Sequence, residues 1–354
     1  MENNEVAARL GVRLPIIQGP FGGGLSSVEL AATVSNAGGL GSYGAHILSP
    51  DAITTTARAI RAQTSAPFAL NLWVSNQDPG GLDFDAEAFE AALTRMAPYF
   101  DEHQLPLPTM PPATAVGFRF EDQIDALLEA RPPVFSFVFG IPGPKILEAC
   151  RTRQIVTIGA ATSIAEAQAL ESAGVDLIVA TGSEAGGHRP SFLDRPEEVL
   201  MGTFALTQLV SARVRTPVIA AGGVVDGRGV RAARALGAQA VQVGTAFLAC
   251  EESGATAEHR SLLHSARSER TTLTRSFSGR LARGLENRWS REWRDRTPGP
   301  YPLQGYLAAQ LRKGLAERQR PMAELGACWG SQAAPNLRHH RAIDVMGSLC
   351  EGLD

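Results

Sequence analysis

The 354-residue chain is long enough for one large α/β domain with insertions, so its length requires no second folding unit. With 33 basic and 36 acidic residues its formal net charge is -3, which supplies no general attraction to nucleic acid or to anionic membranes. Four cysteines without a CxxC pair are too sparse for a disulfide framework, and no uncharged apolar run approaches the ~20 residues that span a bilayer.

The opening MENNEVAARLGVRLP lacks the charged and apolar regions of a signal peptide, so the expected compartment is the cytoplasm. The first apolar run, 15–18, reads as a buried strand, followed by the glycine-rich GPFGGG at 19–24 and a helical stretch over 27–36. A second strand over 40–43 leads to a helix over 50–63, where Ser49 supplies an N-cap before Pro50 at the first helical position. The third strand, 68–72, carries Asn71, a polar residue that needs a partner if buried and reads as a ligand contact, with loop capping as the alternative. A long connection follows, roughly 75–133, with helical stretches at 86–99 and 121–130; an insertion at this face would serve as a lid.

Strand and helix then alternate regularly. Strands at 134–139, 155–158, 177–180, 218–221 and 240–243 are separated by helices at 142–151, 163–172, 197–211 and 227–236, with Gly174 placed for a left-handed C-cap. Eight strands, each with a following helix or loop, predict a closed (β/α)8 TIM barrel more economically than an open sheet. Beyond Gly244 the chain turns polar and Arg-rich and ends in helical pieces such as 303–318. The expected organisation is a barrel over 1–275, carrying the insertion, and a helical appendage over 276–354 packed near the active-site mouth.

In a TIM barrel the reactive groups sit on the loops after the strands, and here those loops are dense in glycine. Gly182-Ser183-Glu184-Ala185-Gly186-Gly187-His188 follows the sixth strand, Gly222-Gly223 the seventh and Gly244-Thr245 the eighth. Glycine lets backbone approach a ligand closely, and exposed N–H groups at a helix start attract phosphate, so the last two loops predict a phosphate cradle. Taken singly, each glycine pair reads first as a tight turn, and it is their coincidence after the seventh and eighth strands that favours the cradle. His188 ends its loop at the barrel mouth, where an imidazole titrating near neutrality serves as a base. His46, His103, His259, His264, His339 and His340 read as ordinary surface or core histidines. Glu184 and Arg189 read as structural, the first bonding loop backbone and the second pairing with an acid. No metal motif occurs, and neither a P-loop ending nor a proper Rossmann pattern is present, so a tightly bound mononucleotide fits better than ATP.

The segments PIIQGPFGG (15–23), FALNLWV (68–74), VFSFVFGIP (134–142), GSEAGGHRP (182–190), PVIAAGGV (217–224), AVQVGTAFL (240–248) and FSGRLARG (277–284) resemble the nitronate monooxygenase family, formerly 2-nitropropane dioxygenases, with FMN-dependent enoyl-acyl-carrier-protein reductases as relatives. The resemblance implies FMN as cofactor and His188 as the catalytic histidine. Implied cofactor contacts are Asn71, Gly186, Gly222, Gly223 and Gln242, Val243, Gly244 and Thr245, to which Gln18, Gly19, Pro20, Thr181 and Gly187 are added from the same loops. Trp329-Gly330-Ser331-Gln332 is similar to a Trp-Gly-Gln type segment of the family, which implies a tail folded back toward the flavin, with a core tryptophan as the alternative. Phe21, Thr181 and Pro190 stand where many relatives carry Met, Gln and Gly.

Three functional readings follow. The first is oxidation of a nitronate or nitroalkane-like compound with O2 to a carbonyl compound and nitrite. The second is NAD(P)H-dependent reduction of an activated double bond, and the third a specialised biosynthetic flavoenzyme or a flavin-binding protein without redox turnover. The expected partners are a small-molecule substrate and O2, with no nucleic acid and no membrane; the reading admits a homodimer.

Overall fold

Apolar runs that lack polar alternation are buried on both faces, and such runs form parallel barrels. The computed structural model describes residues 4–75, 84–112 and 115–353. Residues 1–3 of the opening segment, 76–83 and 113–114 of the insertion, and the final residue lie outside them.

The first nine strands are β1 (Ile16–Gln18), β2 (Gly41–Gly44), β3 (Phe68–Trp73), β4 (Val134–Val138), β5 (Val156–Ala161), β6 (Leu177–Thr181), β7 (Gly187–His188), β8 (Val218–Ala221) and β9 (Ala240–Val243). All but β7 pair in parallel, in the order β1-β9-β8-β6-β5-β4-β3-β2. The ring closes where Gln18 N donates to Leu40 O and Leu40 N to Ile16 O, each at 2.9 Å. The result is the TIM barrel that the alternation predicts.

Side chains alternate across each strand, so one strand feeds two cores. Leu177 and Val179 of β6 point with Ile219 and Ala221 of β8 into the barrel interior, whereas Ile178, Ala180 and Val218 join the layer beneath the helices. Val6 and Leu10 of α1 (Glu5–Leu10) pack into the interior cluster, against Leu40, Val134 and Leu177 near the strand starts. This helix plugs the end of the barrel opposite the loops that follow the strands. At six residues it is too short to display a helical period, so nothing in the apolar pattern announces it.

Around the barrel run α2 (Val28–Asn36), α3 (Pro50–Gln63), α5 (Phe120–Ala130), α6 (Pro144–Thr152), α7 (Ile164–Ser172), α8 (Thr203–Ser211) and α9 (Gly227–Ala235), while α4 (Ala86–Glu102), between α3 and α5 in the chain, packs against the C-terminal helices instead. Ser49 caps α3 by accepting from Ala52 N at 3.2 Å, with Pro50 at the first position. The helix expected over 197–211 begins only at Thr203. Glu184 accepts from both the backbone N and Oγ1 of Thr203 at 2.6 Å, which sets the start, and Glu197 instead pairs with Arg275 at 2.7 Å.

After β9 come α10 (Thr245–Leu248), α11 (Ala257–Leu263), β10 (Thr271–Thr274), β11 (Ala282–Leu285), α12 (Arg288–Glu292), α13 (Leu303–Glu317) and α14 (Ala342–Cys350). β10, β11 and β7 form a small antiparallel sheet in which Ala282 pairs with His188 and Arg283 with Gly187. Phe89, Met96 and Phe100 of α4 share one core with Trp289, Leu307 and Leu311, so the insertion and the C-terminal helices pack together over the mouth. Among the described residues no helix is long and apolar enough to cross a membrane.

Candidate functional site

Parallel strands all deliver their following loops to one end, and a cavity of about 510 Å³ opens there. Gly19, Pro20, Asn71, Thr181, Gly186, Gly187, His188, Gly222, Gly223, Gln242, Gly244 and Thr245 line it. Gln18 and Val243 do not. The Gln18 amide is consumed between β1 and β2, donating to Ser42 O at 2.7 Å and accepting from Ser42 N at 3.2 Å, and Val243 is fully buried in an apolar cluster. Asn71 donates to Ser136 Oγ at 3.0 Å, which satisfies part of the buried amide while leaving the residue on the cavity wall.

The loop after β8 turns through Gly222 and Gly223 at φ +112° and +73°, the left-handed region that side chains avoid. Gly244 differs: a Cβ there would meet only Phe21 Cε1, at 3.8 Å, so the space beside it is open. Trp329, Gly330 and Ser331 return to this end and line the same cavity. They are tied down by Ser331 N donating to Thr245 Oγ1 at 2.9 Å and Gln332 N to Glu184 O at 3.0 Å. The Ser331 hydroxyl is buried beside this loop with no partner among the described residues.

His188 is held at the edge of the small sheet, with Nε2 2.8 Å from Ser278 Oγ. That oxygen also lies 3.4 Å from Arg280 O, an acceptor, so the network is satisfied when Nε2–H donates to Ser278 and the serine hydroxyl points on to Arg280 O. Nδ1 is then the lone-pair nitrogen. Aromatic rings surround the imidazole: Trp73 at 5.0 Å, Trp329 at 5.3 Å and Phe139 at 6.5 Å between centroids. Burial among them pushes its pKa down to about 4, so the near-neutral titration expected from sequence gives way to an imidazole that is neutral at pH 7. The Arg280 guanidinium lies 3.8 Å from the Tyr301 ring centroid and 3.9 Å from that of Phe139, and donates to Ser75 Oγ at 2.9 Å.

The charged neighbours of His188 hold the loop. Among the described residues Arg189 does not make the expected ion pair with an acid; its buried guanidinium donates to Thr181 O at 2.9 Å and Gly182 O at 2.7 Å, carbonyls at the end of β6. Glu166, fully buried, accepts from Thr162 N and Phe192 N and so clamps the chain just past His188.

A model of the nitronate monooxygenase family matches residues 4–352. The chain belongs to the nitronate monooxygenase family. It is 40% identical over 349 residues to a nitronate monooxygenase of Pseudomonas aeruginosa, covering 97% of each. Among solved structures it is similar to the nitroalkane oxidase of Streptomyces ansochromogenes, with 33% identity, a TM-score of 0.86 and coverage of 97% of this chain and 96% of that one. FabK from Thermotoga maritima is a more distant neighbour, with 26% identity, a TM-score of 0.73 and coverage of 99% and 96%. By family, the chain is an oxidoreductase.

For a nitronate monooxygenase family member, several cavity residues here escaped sequence reasoning. Ser278 sits 90 positions from His188 in the chain, and only β7 pairing with β11 brings them together. His46 lines the cavity with its ring stacked on Trp73, centroids 3.7 Å apart and 6° from parallel. Burial first, then the charges of His188 and Arg280, holds His46 well below the usual imidazole range. Arg312 of α13 also lines the cavity; burial lowers its pKa, and no carboxylate pairs with it among the described residues. An arginine beside the apolar stripe of an amphipathic helix carries no local signal of this kind.

The buried imidazoles predict an acid-labile fold. For His188 the folded pKa of about 4 lies below the ordinary value of 6.5, so between those limits the unfolded chain binds more protons. The contribution is fully present above pH 6.5 and is lost as pH falls toward 4, amounting to about 3 kcal/mol from this residue. Urea midpoints measured from pH 7.5 down to 4.5 should fall, and His188→Asn should flatten part of that slope.

Proposed function

We propose that the protein binds FMN in this cavity and oxidises nitronates or nitroalkane-like carbon acids with O2, giving a carbonyl compound and nitrite. The observation that carries the reading is the meeting of His188 with the glycine loops after β8 and β9 on one cavity. The residues fit a phosphate-bearing group. The turn at Gly222 and Gly223, the N–H groups at Gly244 and Thr245 and the orphaned Ser331 hydroxyl provide donors at one end.

Bound there, flavin would supply the two-electron acceptor that connects a carbon acid to dioxygen. The chain's own part is proton handling and placement. His188 Nδ1 takes the proton from the carbon bearing the nitro group, while Ser278 holds the other nitrogen and fixes the tautomer. Forming an imidazolium beside the resulting anion is favoured by the opposite charge, which offsets the lowering of the His188 pKa by burial. Trp73, Phe139 and Trp329 exclude water from the imidazole. Arg312, a cation on the wall that pairs with no carboxylate among the described residues, favours an acidic substrate over a neutral one.

Heat-released cofactor is expected to run as FMN, and aerobic turnover of ethyl nitronate to release nitrite. Recovery of FAD, or a colourless protein that ignores added FMN, would overturn the cofactor assignment.

A further inference from the structure

His46 reaches the cavity from the loop after β2, directly beyond Gly44 and Ala45. Its position is fixed from three sides. Gln123 of α5 donates to His46 O at 3.0 Å and to Leu48 O at 2.8 Å, tying the loop to the insertion helix. Trp73 stacks on the ring face. On the first loop Gly22 leaves the room, since a Cβ there would stand 2.1 Å from His46 Cε1.

For all this fixing, a ring nitrogen is unused. Among the described residues Nδ1 is buried without a partner. A buried imidazole kept neutral retains one N–H and one lone pair, and leaving a buried ring nitrogen unpaired costs free energy unless a bound molecule draws the ring into a hydrogen bond. The same Trp73 ring touches both His46 and His188, which places the two imidazoles on one stretch of cavity wall. We propose that His46 is a second substrate-contacting imidazole, donating a ring N–H to an oxygen of the nitro or nitronate group whose carbon reacts beside His188. Charge that leaves the carbon on deprotonation accumulates on those oxygens, where a preorganised donor is most useful. The proposal rests on the substrate class put forward above.

Two variants of the flavin-loaded protein separate hydrogen bonding from packing. His46→Phe keeps a flat ring for Trp73 and removes both nitrogens, whereas His46→Gln keeps an N–H donor and loses the ring. Binding of 2-methyl-2-nitropropane, which has no proton to lose, is followed by its perturbation of the flavin spectrum, and ethyl nitronate is used for anaerobic reduction. A donor role predicts that His46→Phe retains flavin, binds the inert nitro compound roughly fivefold more weakly and raises the nitronate concentration for half-maximal reduction about tenfold or more. His46→Gln should recover most of both losses. If His46→Phe matches the parent while His46→Gln fails, the ring merely packs and the proposal is wrong. A parent protein that no nitronate reduces would instead overturn the substrate reading, and this proposal with it.

Discussion

His188→Asn is expected to stay yellow while flavin reduction by neutral nitroethane slows by about 10²–10⁴-fold, the usual cost of losing a general base. The expectation follows from geometry. His188 belongs to β7 and is fixed by Ser278, whereas the proposed phosphate donors are on the loops after β8 and β9, so substituting the imidazole should leave the cofactor's anchoring end untouched. Asn preserves polarity and approximate size but offers no lone pair that takes up a proton near pH 7. Ethyl nitronate, already deprotonated, should lose far less. Anaerobic stopped-flow with both forms of the substrate checks the difference. Equal reduction rates for variant and parent with nitroethane would make His188 a loop residue with no part in proton removal.

A second large effect is expected at the phosphate end. Gly244→Asp should cost about a thousandfold in FMN affinity, because two unit charges 4 Å apart repel by about 4 kcal/mol at an effective dielectric of 20. The position suits the test: Gly244 has φ -98°, which any residue adopts, and a Cβ there finds only Phe21 nearby. Gly222→Asp is less clean, since φ is +112° and its Cβ would strike Thr203 Oγ1 at 2.6 Å. Gly244→Asn supplies the uncharged control. Flavin content by absorbance, with the fold checked by circular dichroism, gives the answer; full occupancy in folded Gly244→Asp would place the phosphate elsewhere.

Much of the fold is legible because buried parallel strands leave unbroken apolar runs and capped helices leave terminal signals. The strands at Val218–Ala221 and Ala240–Val243 and the helix at Pro50–Gln63 fall where the sequence reading puts them, the helix because Ser49 and Pro50 mark its start. Legibility fails where the determinant is distant. The start of α8 depends on Glu184, 19 positions earlier, and the two-residue strand at His188 exists only because β11 pairs with it. The candidate site divides the same way. Glycine loops and His188 stand out because they follow strands directly. His46 follows one too, yet what distinguishes it is a stacked tryptophan, a glycine that leaves space and a buried ring nitrogen without a partner among the described residues, and these are properties of packing alone.

Oxidation of nitronates through a flavin bound in this cavity can be followed by anaerobic mixing of the purified yellow protein with ethyl nitronate. The expected result is loss of the oxidised flavin absorbance on mixing, its return on admitting O2, and nitrite in the product. Bleaching by NADPH with no response to any nitronate would contradict it and assign the site to reduction of an activated double bond.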